Sequence, residues 1–359
     1  MPRISELSFS ALDVALTEPF GIATGTQHVA HNVLVRLRLE DGSEGIGEAA
    51  PFPAVNGETQ AMVLAALPDA QLCVSGLAAE RYRVVSHALR EVLHEVPSAR
   101  AAVETALFDA LCRSAGLSLW KFFGGAESSL MSDITVPTGD AEHARAAALR
   151  AWQAGFRTLK VKVGGTALEL DLARIAAIFA AAPEAELVLD ANGGFSAEGA
   201  LELLEGMGPA RERLSLFEQP TAAEDWDGLD TVGRDGHVLV AADESARSAG
   251  DVARLAAARV VNVVNVKITK SGIVEAWDMI ATARAHGLGL MVGGMVETEL
   301  AMTASACLAG GVGGFRFVDL DTPLFMAERP LEGGFHQVGP HIALEEIRLG
   351  HGVRYSARR

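Results

Sequence analysis

Cysteine is scarce: the 359 residues contain three, Cys73, Cys112 and Cys307. They lie far apart, are odd in number and show no C-x-x-C spacing, which excludes a disulfide framework, a cysteine-based zinc site and a dithiol redox motif. They read as small buried hydrophobes. Long apolar runs are missing too. Those present are interrupted too soon to span a bilayer, and Ser, Glu and Asp break the opening stretch MPRISELSFSALDVAL before it can form the apolar core of a secretory signal. A reducing, cytoplasmic setting is therefore expected. Basic charge is in deficit, with 30 Lys+Arg against 46 Asp+Glu and a formal net charge of −16. That field repels a phosphate backbone or an anionic membrane surface, so neither is expected as a partner. What the chain does have is hydrophobic residues, 49% against 21% charged, enough to exclude disorder. At roughly 100 to 200 residues per domain, the length predicts two domains, or one barrel with an appendage.

The N-terminal third mixes two periods. In NVLVRLRLE, Val33, Val35, Leu37 and Leu39 fall on one face and Arg36, Arg38 and Glu40 on the other; Asp41-Gly42 then supplies a turn before EGIGEA resumes. That pattern predicts an antiparallel hairpin with one wet side. From about Gln60 to Arg113 the spacing turns helical, clearest at Val103, Leu107 and Leu111, with Pro97-Ser98 as a start signal. Residues 1–125 thus read as a small α+β domain. Beyond it come eight short apolar runs separated by Ala-rich helical segments, beginning at Ile134, Thr158, Leu187, Leu214, Leu239, Val260, Leu290 and Phe315. Eight βα repeats predict a closed parallel α/β barrel over residues 126–330. Residues 331–359 are expected to return and pack on the first domain. No G-x-G-x-x-G follows the first of these runs, and GGVGG at Gly310 precedes a strand and reads as a turn, so no phosphate cradle is expected.

Ionisable residues stand where barrel strands should be apolar: Lys160 and Lys162, Asp190, Glu218, Asp243, Lys267, and Asp319 with Asp321. All but the lysine pair fall near the C-terminal end of their run, the face of a barrel where sites assemble, and charges there are costly unless paired or bound to metal. Asp190, Glu218 and Asp243 lie one βα unit apart on three successive runs. Any one of them alone reads as a helix N-cap. Three in register read as oxygen ligands of a hard cation, Mg²⁺ before Mn²⁺ and well before Zn²⁺. Lys160 and Lys162, two apart, share a face; Lys267 follows on the run after Asp243, across the ion from them. The chemistry such a set serves is removal of a proton α to a carboxylate, with a divalent ion and donors stabilising the second negative charge. The base must be a free amine, so burial, the dication and a neighbouring ammonium are expected to bring lysine down from about 10.4. One lysine on each face predicts a 1,1-proton transfer that inverts the carbon.

These residues resemble the enolase superfamily, specifically its muconate-cycloisomerase-like subgroup. The likeness covers essentially the whole chain through SARAAVETALFDALCRSAG, KVKVGG, LDANGGF, FEQP, ADES, VNVKITKSGI and GGMVETELA. It implies a modified TIM (β/α) barrel with an N-terminal α+β capping domain, Mg²⁺ on Asp190, Glu218 and Asp243, acid/base lysines Lys162 and Lys267, and Lys160 orienting the substrate carboxylate and tuning its neighbour. Members commonly assemble as homo-oligomers. Within the subgroup, VDLDTP resembles the Asp-x-Asp feature of dipeptide epimerases, which implies that Asp319 and Asp321 receive the α-ammonium of a dipeptide and that Thr135 touches substrate. Asp321 capping a helix is the plainer alternative. Glu297 is expected either to pair with Lys267 or to favour the next helix N-terminus. The loop from Glu18 to Gly25 should close over the barrel mouth. Relatives that act on Ala-Glu place a basic residue there; this chain has Gly21 and no Lys or Arg. Phe20 and Ile22, with Phe52 and Val55 of a second loop, predict dipeptides with an apolar or aromatic second residue. The rivals are a cycloisomerase, an o-succinylbenzoate synthase, an acid-sugar dehydratase and a barrel that binds peptides without turning them over.

Overall fold

The computed structural model describes residues 2–22 and 25–355, with the backbone alone at residues 20, 22 and 26. The side chains of Phe20 and Ile22, assigned above to specificity, therefore lie outside the described residues. Strands β1 (Ile4–Ile22), β2 (Gly25–Leu39) and β3 (Glu44–Ala49) form an antiparallel sheet in that order. The expected turn sits at Asp41-Gly42, where Gly42 takes φ 84° and the Ser43 amide donates to Asp41 Oδ1 at 2.9 Å. Val33, Val35, Leu37 and Leu39 are buried beneath helices Gln60–Val74, Tyr82–Val92 and Pro97–Ser114. The opposite face is wet only in part: Arg36 and Arg38 are exposed, whereas Leu34 packs with Val296, Leu300 and Phe325 of the second layer. Sheet and helix meet at close range. A Cβ on Gly47 would stand 2.0 Å from the Ala102 carbonyl oxygen, and one on Gly45 2.1 Å from that of Ala106.

After the short strand β4 (Ser129–Met131) the eight expected runs each supply one parallel strand: β5 (Ile134–Val136), β6 (Thr158–Lys162), β7 (Glu186–Asp190), β8 (Leu214–Glu218), β9 (Val240–Ala242), β10 (Val263–Val266), β11 (Gly289–Val292) and β12 (Phe317–Val318). They hydrogen-bond in sequence order, and the Asp133 amide donates to the Val318 carbonyl at 2.8 Å, so the ends of the curled sheet meet. Pleating divides the side chains. Leu187, Leu189, Phe217 and Val264 point outward into the layer beneath the surrounding helices, while Val188, Leu216, Ala241, Val263, Met291 and Phe317 fill the interior as a plug. Two residues further along each strand the next inward positions are Asp190, Glu218, Asp243, Asn265, Gly293 and Asp319. The change from plug to polar ring thus takes one pleat.

The GGVGG segment departs from the expected turn. Gly310 and Gly311 end helix Glu299–Val312, and only Gly313 and Gly314, with φ 74° and 72°, make the turn. A Cβ on Gly311 would lie 2.5 Å from that of Phe123, and the Gly310 and Gly311 carbonyls accept the Glu127 and Ala126 amides, so the glycines let the chain cross this helix. In the tail, β13 (Leu331–Glu332) pairs with β16 (Arg354–Tyr355), and β14 (His336–Val338) pairs with β15 (His341–Ala343), which pairs with β4. The His351 amide donates to Asp109 Oδ1 at 3.0 Å, and its ring meets the Ile46 carbonyl at 3.0 Å. Among the described residues no helix is long and apolar enough to cross a membrane.

Candidate active site

Asp190 and Glu218 close β7 and β8 in direct register, and Asp243 follows β9 immediately. All three are buried, at 1% exposure or less. A set of tight turns holds them. Gln219, at φ 36°, accepts the Asp243 amide at 2.9 Å and the Ser245 amide at 3.1 Å on one side-chain oxygen. Asn192, at φ 45°, donates its amide to Asp190 Oδ1 at 3.1 Å. Asn265 Nδ2 donates to Glu218 Oε1 at 2.6 Å, and Lys270 Nζ to Asp243 Oδ1 at 2.5 Å. These four supporting residues were not singled out from the sequence, although they stand inside LDAN, FEQP and VNVKITK. Their signal is their place within three residues of an ionisable strand-end residue: Gln219 next to Glu218, Asn192 two after Asp190, and Asn265 and Lys270 on either side of Lys267.

The lysines are the counter-ions. Lys162 ends β6, so it too sits at the C-terminal edge, against the reading that set the lysine pair apart; it lies 2.6 Å from Asp190. Lys160, one inward pleat earlier, reaches Asp190 at 2.9 Å, Glu218 at 2.8 Å and Asp319 at 2.6 Å. Lys267 follows β10 and lies 2.7 Å from Asp243. Burial alone would push Lys160 and Lys267 down, but the facing carboxylates outweigh it and hold both ammonium groups above the usual lysine range. The depression expected of an acid/base lysine is therefore not found at Lys267 with its acids alone, where a bound dication would add a push downward. The same pairing holds Asp190 and Asp243 below the usual carboxylate range despite burial, whereas burial and the nearby Asp190 push Glu218 up. Glu218 Oε2 and Asp243 Oδ2 accept no hydrogen bond, although amines face them. Three buried hard oxygen donors, with ammonium groups standing at two of them, suit Mg²⁺ or a cation of that kind.

Lys162 ends the second strand of eight and Lys267 follows the sixth, half a ring apart, and both line one cavity with Thr135, Asn192, Asp319 and Asp321. Phe52 and Val55 of the cap and Met295 close it from above, leaving about 30 Å³, room for about one water. Asp321 precedes a short 3₁₀ turn (Thr322–Phe325) but its side chain caps nothing there; it accepts the Thr135 amide at 2.5 Å instead. Glu297 does neither thing expected of it. Its carboxyl turns back to the Met295 amide at 3.3 Å, and it does not line the cavity. The start of helix Glu299–Val312 is served by Glu48 of β3, which accepts the amides of Thr298 and Ala301, so Glu297 stays buried beside Glu48 and is pushed up to about 8, chiefly by burial. Asp133, just before β5, joins the site unannounced: one oxygen each of Asp133, Asp319 and Asp321 lie within 4.8 Å of one another.

A capped parallel barrel whose strand ends bring acids and amines together is the architecture of an enolase-type enzyme. Residues 6–124 match the mandelate racemase / muconate lactonizing enzyme N-terminal domain and residues 143–359 the enolase C-terminal domain-like family, and the chain belongs to this family. It is 47% identical over 350 residues to an aromatic dipeptide epimerase of Herpetosiphon aurantiacus, covering 98% of both chains. Among solved structures, a mandelate racemase/muconate lactonizing enzyme from Roseiflexus sp. superposes with TM-score 0.93 at 49% identity, covering 99% of this chain and 98% of that one. A dipeptide epimerase from Enterococcus faecalis complexed with Mg and L-Leu-L-Tyr superposes with TM-score 0.93 at 30% identity, covering 98% and 100%.

Proposed function

We propose that this protein is a Mg²⁺-dependent dipeptide epimerase, an isomerase that inverts the Cα of the C-terminal residue of an L,L-dipeptide by two-base proton transfer. The observation that carries it is the pair Lys162 and Lys267, half a ring apart around three buried acids and opening on one cavity with Asp319 and Asp321. Asp190, Glu218 and Asp243 would hold Mg²⁺, which supplies compensation for the negative charge that gathers on the substrate carboxylate as the proton leaves. Lys160, shared among three carboxylates, stays an ammonium and orients that carboxylate. One of Lys162 and Lys267 takes the Cα proton as free amine, and the other, as ammonium, returns a proton to the opposite face. Asp319 and Asp321 receive the α-ammonium beside Thr135. Admission of a dipeptide requires the loop carrying Phe52 and Val55 to withdraw.

An apolar or aromatic second residue is favoured by Phe52, Val55 and Met295 at the mouth and by the absence of Lys or Arg near Gly21. The kinship to an aromatic dipeptide epimerase supports the same choice. We assign residues 1–125 to the cap, 126–330 to the barrel and 331–359 to a tail returning to the cap, in a cytoplasmic enzyme whose partner is a small zwitterion. A cycloisomerase or o-succinylbenzoate synthase would have no use for Asp319 and Asp321, and an acid-sugar dehydratase would need an Asp/His dyad where Lys267 and Met295 stand. A mere binder gains nothing from desolvated amines. Incubation of the Mg²⁺-loaded protein with dipeptide libraries in D₂O, read by mass spectrometry, should show deuterium at the C-terminal Cα and an L,D product. No exchange with any dipeptide would defeat the assignment.

A further inference from the structure

Asp133 is 3% exposed, and neither of its carboxylate oxygens has a hydrogen-bond partner. A buried acid left so is rare enough to need a reason. Its backbone joins the two ends of the barrel sheet, and it stands two residues before Thr135, on the same inward face. Its neighbours are the acids of β12: one oxygen from each of Asp133, Asp319 and Asp321 lies within 4.8 Å of the other two. Three acceptors around one tetrahedral ammonium, each at about 2.8 Å, are separated by roughly 4.6 Å, so the trio is of a size to share a single small cation. Part of its capacity is committed. Asp319 Oδ2 lies 2.6 Å from Lys160 and Asp321 Oδ2 accepts the Thr135 amide, which leaves Asp321 Oδ1 and both Asp133 oxygens unpartnered. Burial and the nearby Asp319 push the Asp133 carboxyl well above its usual range and Asp321 up to about 7, so Asp133 and Asp321 hold protons more readily than ordinary carboxyls and a cation seated among them would displace those protons.

We infer that Asp133 is the third acid of the subsite for the substrate's α-ammonium, a positioning and selectivity residue behind Asp319 and Asp321. The inference rests on the epimerase reading above. Asp319 and Asp321 line the cavity and Asp133 does not, so it acts through them, raising the negative potential where the ammonium seats.

The test compares a dipeptide with its N-acetylated form on the Mg²⁺-loaded wild type, Asp133→Asn, Asp133→Glu and Asp321→Asn. Asp133→Asn keeps the shape and removes the charge. It should raise KM for the free dipeptide roughly tenfold with kcat within about twofold, and lower the free-to-acetylated ratio of kcat/KM by a similar factor. Asp133→Glu should restore part of both. The ratio is taken within one preparation, so an unfolded fraction cancels from it, and Asp133→Ser gives the same comparison if Asp133→Asn folds poorly. An unchanged ratio in Asp133→Asn, where Asp321→Asn collapses it, would overturn the inference alone. Wild-type activation by sodium or potassium chloride with discrimination unchanged would assign the trio to an inorganic cation and overturn it likewise. A wild type that does not distinguish the two substrates would instead overturn the ammonium reading on which it rests.

Discussion

Glu58 ties the loop over the barrel mouth to the body of the cap, and its ionisation should be visible as a pH-dependent loss of stability. The carboxyl is 1% exposed. It accepts the Asn56 side-chain amide at 2.6 Å, the Ser98 amide at 3.2 Å and the Ser98 hydroxyl, while Asn56 Oδ1 accepts the Phe52 and Glu58 amides. Glu58 thus serves the first turn of helix Pro97–Ser114, whose Ncap residue, Val96, has no side chain that can do so. Burial nevertheless outweighs these donors and lifts the group from its ordinary 4.5 to about 7. Below pH 4.5 the folded and unfolded chains both hold the proton. Between 4.5 and 7 the unfolded chain releases it and the folded chain retains it, so stability falls as pH rises, and the loss is complete above 7. The displacement from 4.5 to about 7 corresponds to about 3 kcal/mol. Glu58→Gln removes the titration, and whatever constant offset it brings does not vary with pH. Urea unfolding of both proteins from pH 4 to 8 should therefore show the wild type losing about 3 kcal/mol relative to the variant across that window. A difference that stays flat, or that opens in the other direction, would mean that the helix N-terminus compensates the buried charge in full.

Two further outcomes are expected. Lys162→Ala and Lys267→Ala should each abolish epimerisation while leaving exchange of one enantiomer's Cα proton in D₂O, measured by NMR on separate L,L and L,D substrates; a variant that epimerises at the wild-type rate has not lost an acid/base. Gly47→Ala, whose Cβ would stand 2.0 Å from the Ala102 carbonyl oxygen, should cost about 3 kcal/mol in unfolding free energy, and an unchanged thermal midpoint would show that the sheet and the helix Pro97–Ser114 separate freely.

The barrel was legible because five of the eight strand runs repeat one design: an inward apolar residue, an outward apolar residue, then an inward acid or amide. Val188-Leu189-Asp190 and Leu216-Phe217-Glu218 state it directly, and the period of two that identifies the strand also aims the acid. Where the period slips, the reading slips with it. Strand β1 carries register shifts between Ile4 and Glu6 and between Ala15 and Phe20, and its buried residues pass from Ile4 and Leu7 in one core to Leu12 and Val14 in another, so the alternation becomes regular only in β2. Asp133 stayed hidden because the strand it precedes is three residues long and offers no apolar inward neighbour to set the phase. Gln219 and Asn192 act from left-handed turns, where no periodicity applies, and GGVGG has the composition of a turn while two of its glycines serve a helix crossing. Glu297 was misjudged for a different reason: the position it was expected to serve at the next helix is taken by Glu48, 250 residues before Thr298 in the chain. The part of the site built by strand pleating is thus written locally. The part that tunes it depends on which distant segment lies against each unsatisfied amide, as Glu48 does at Thr298 and Ala301, and that is settled by packing of the cap against the barrel.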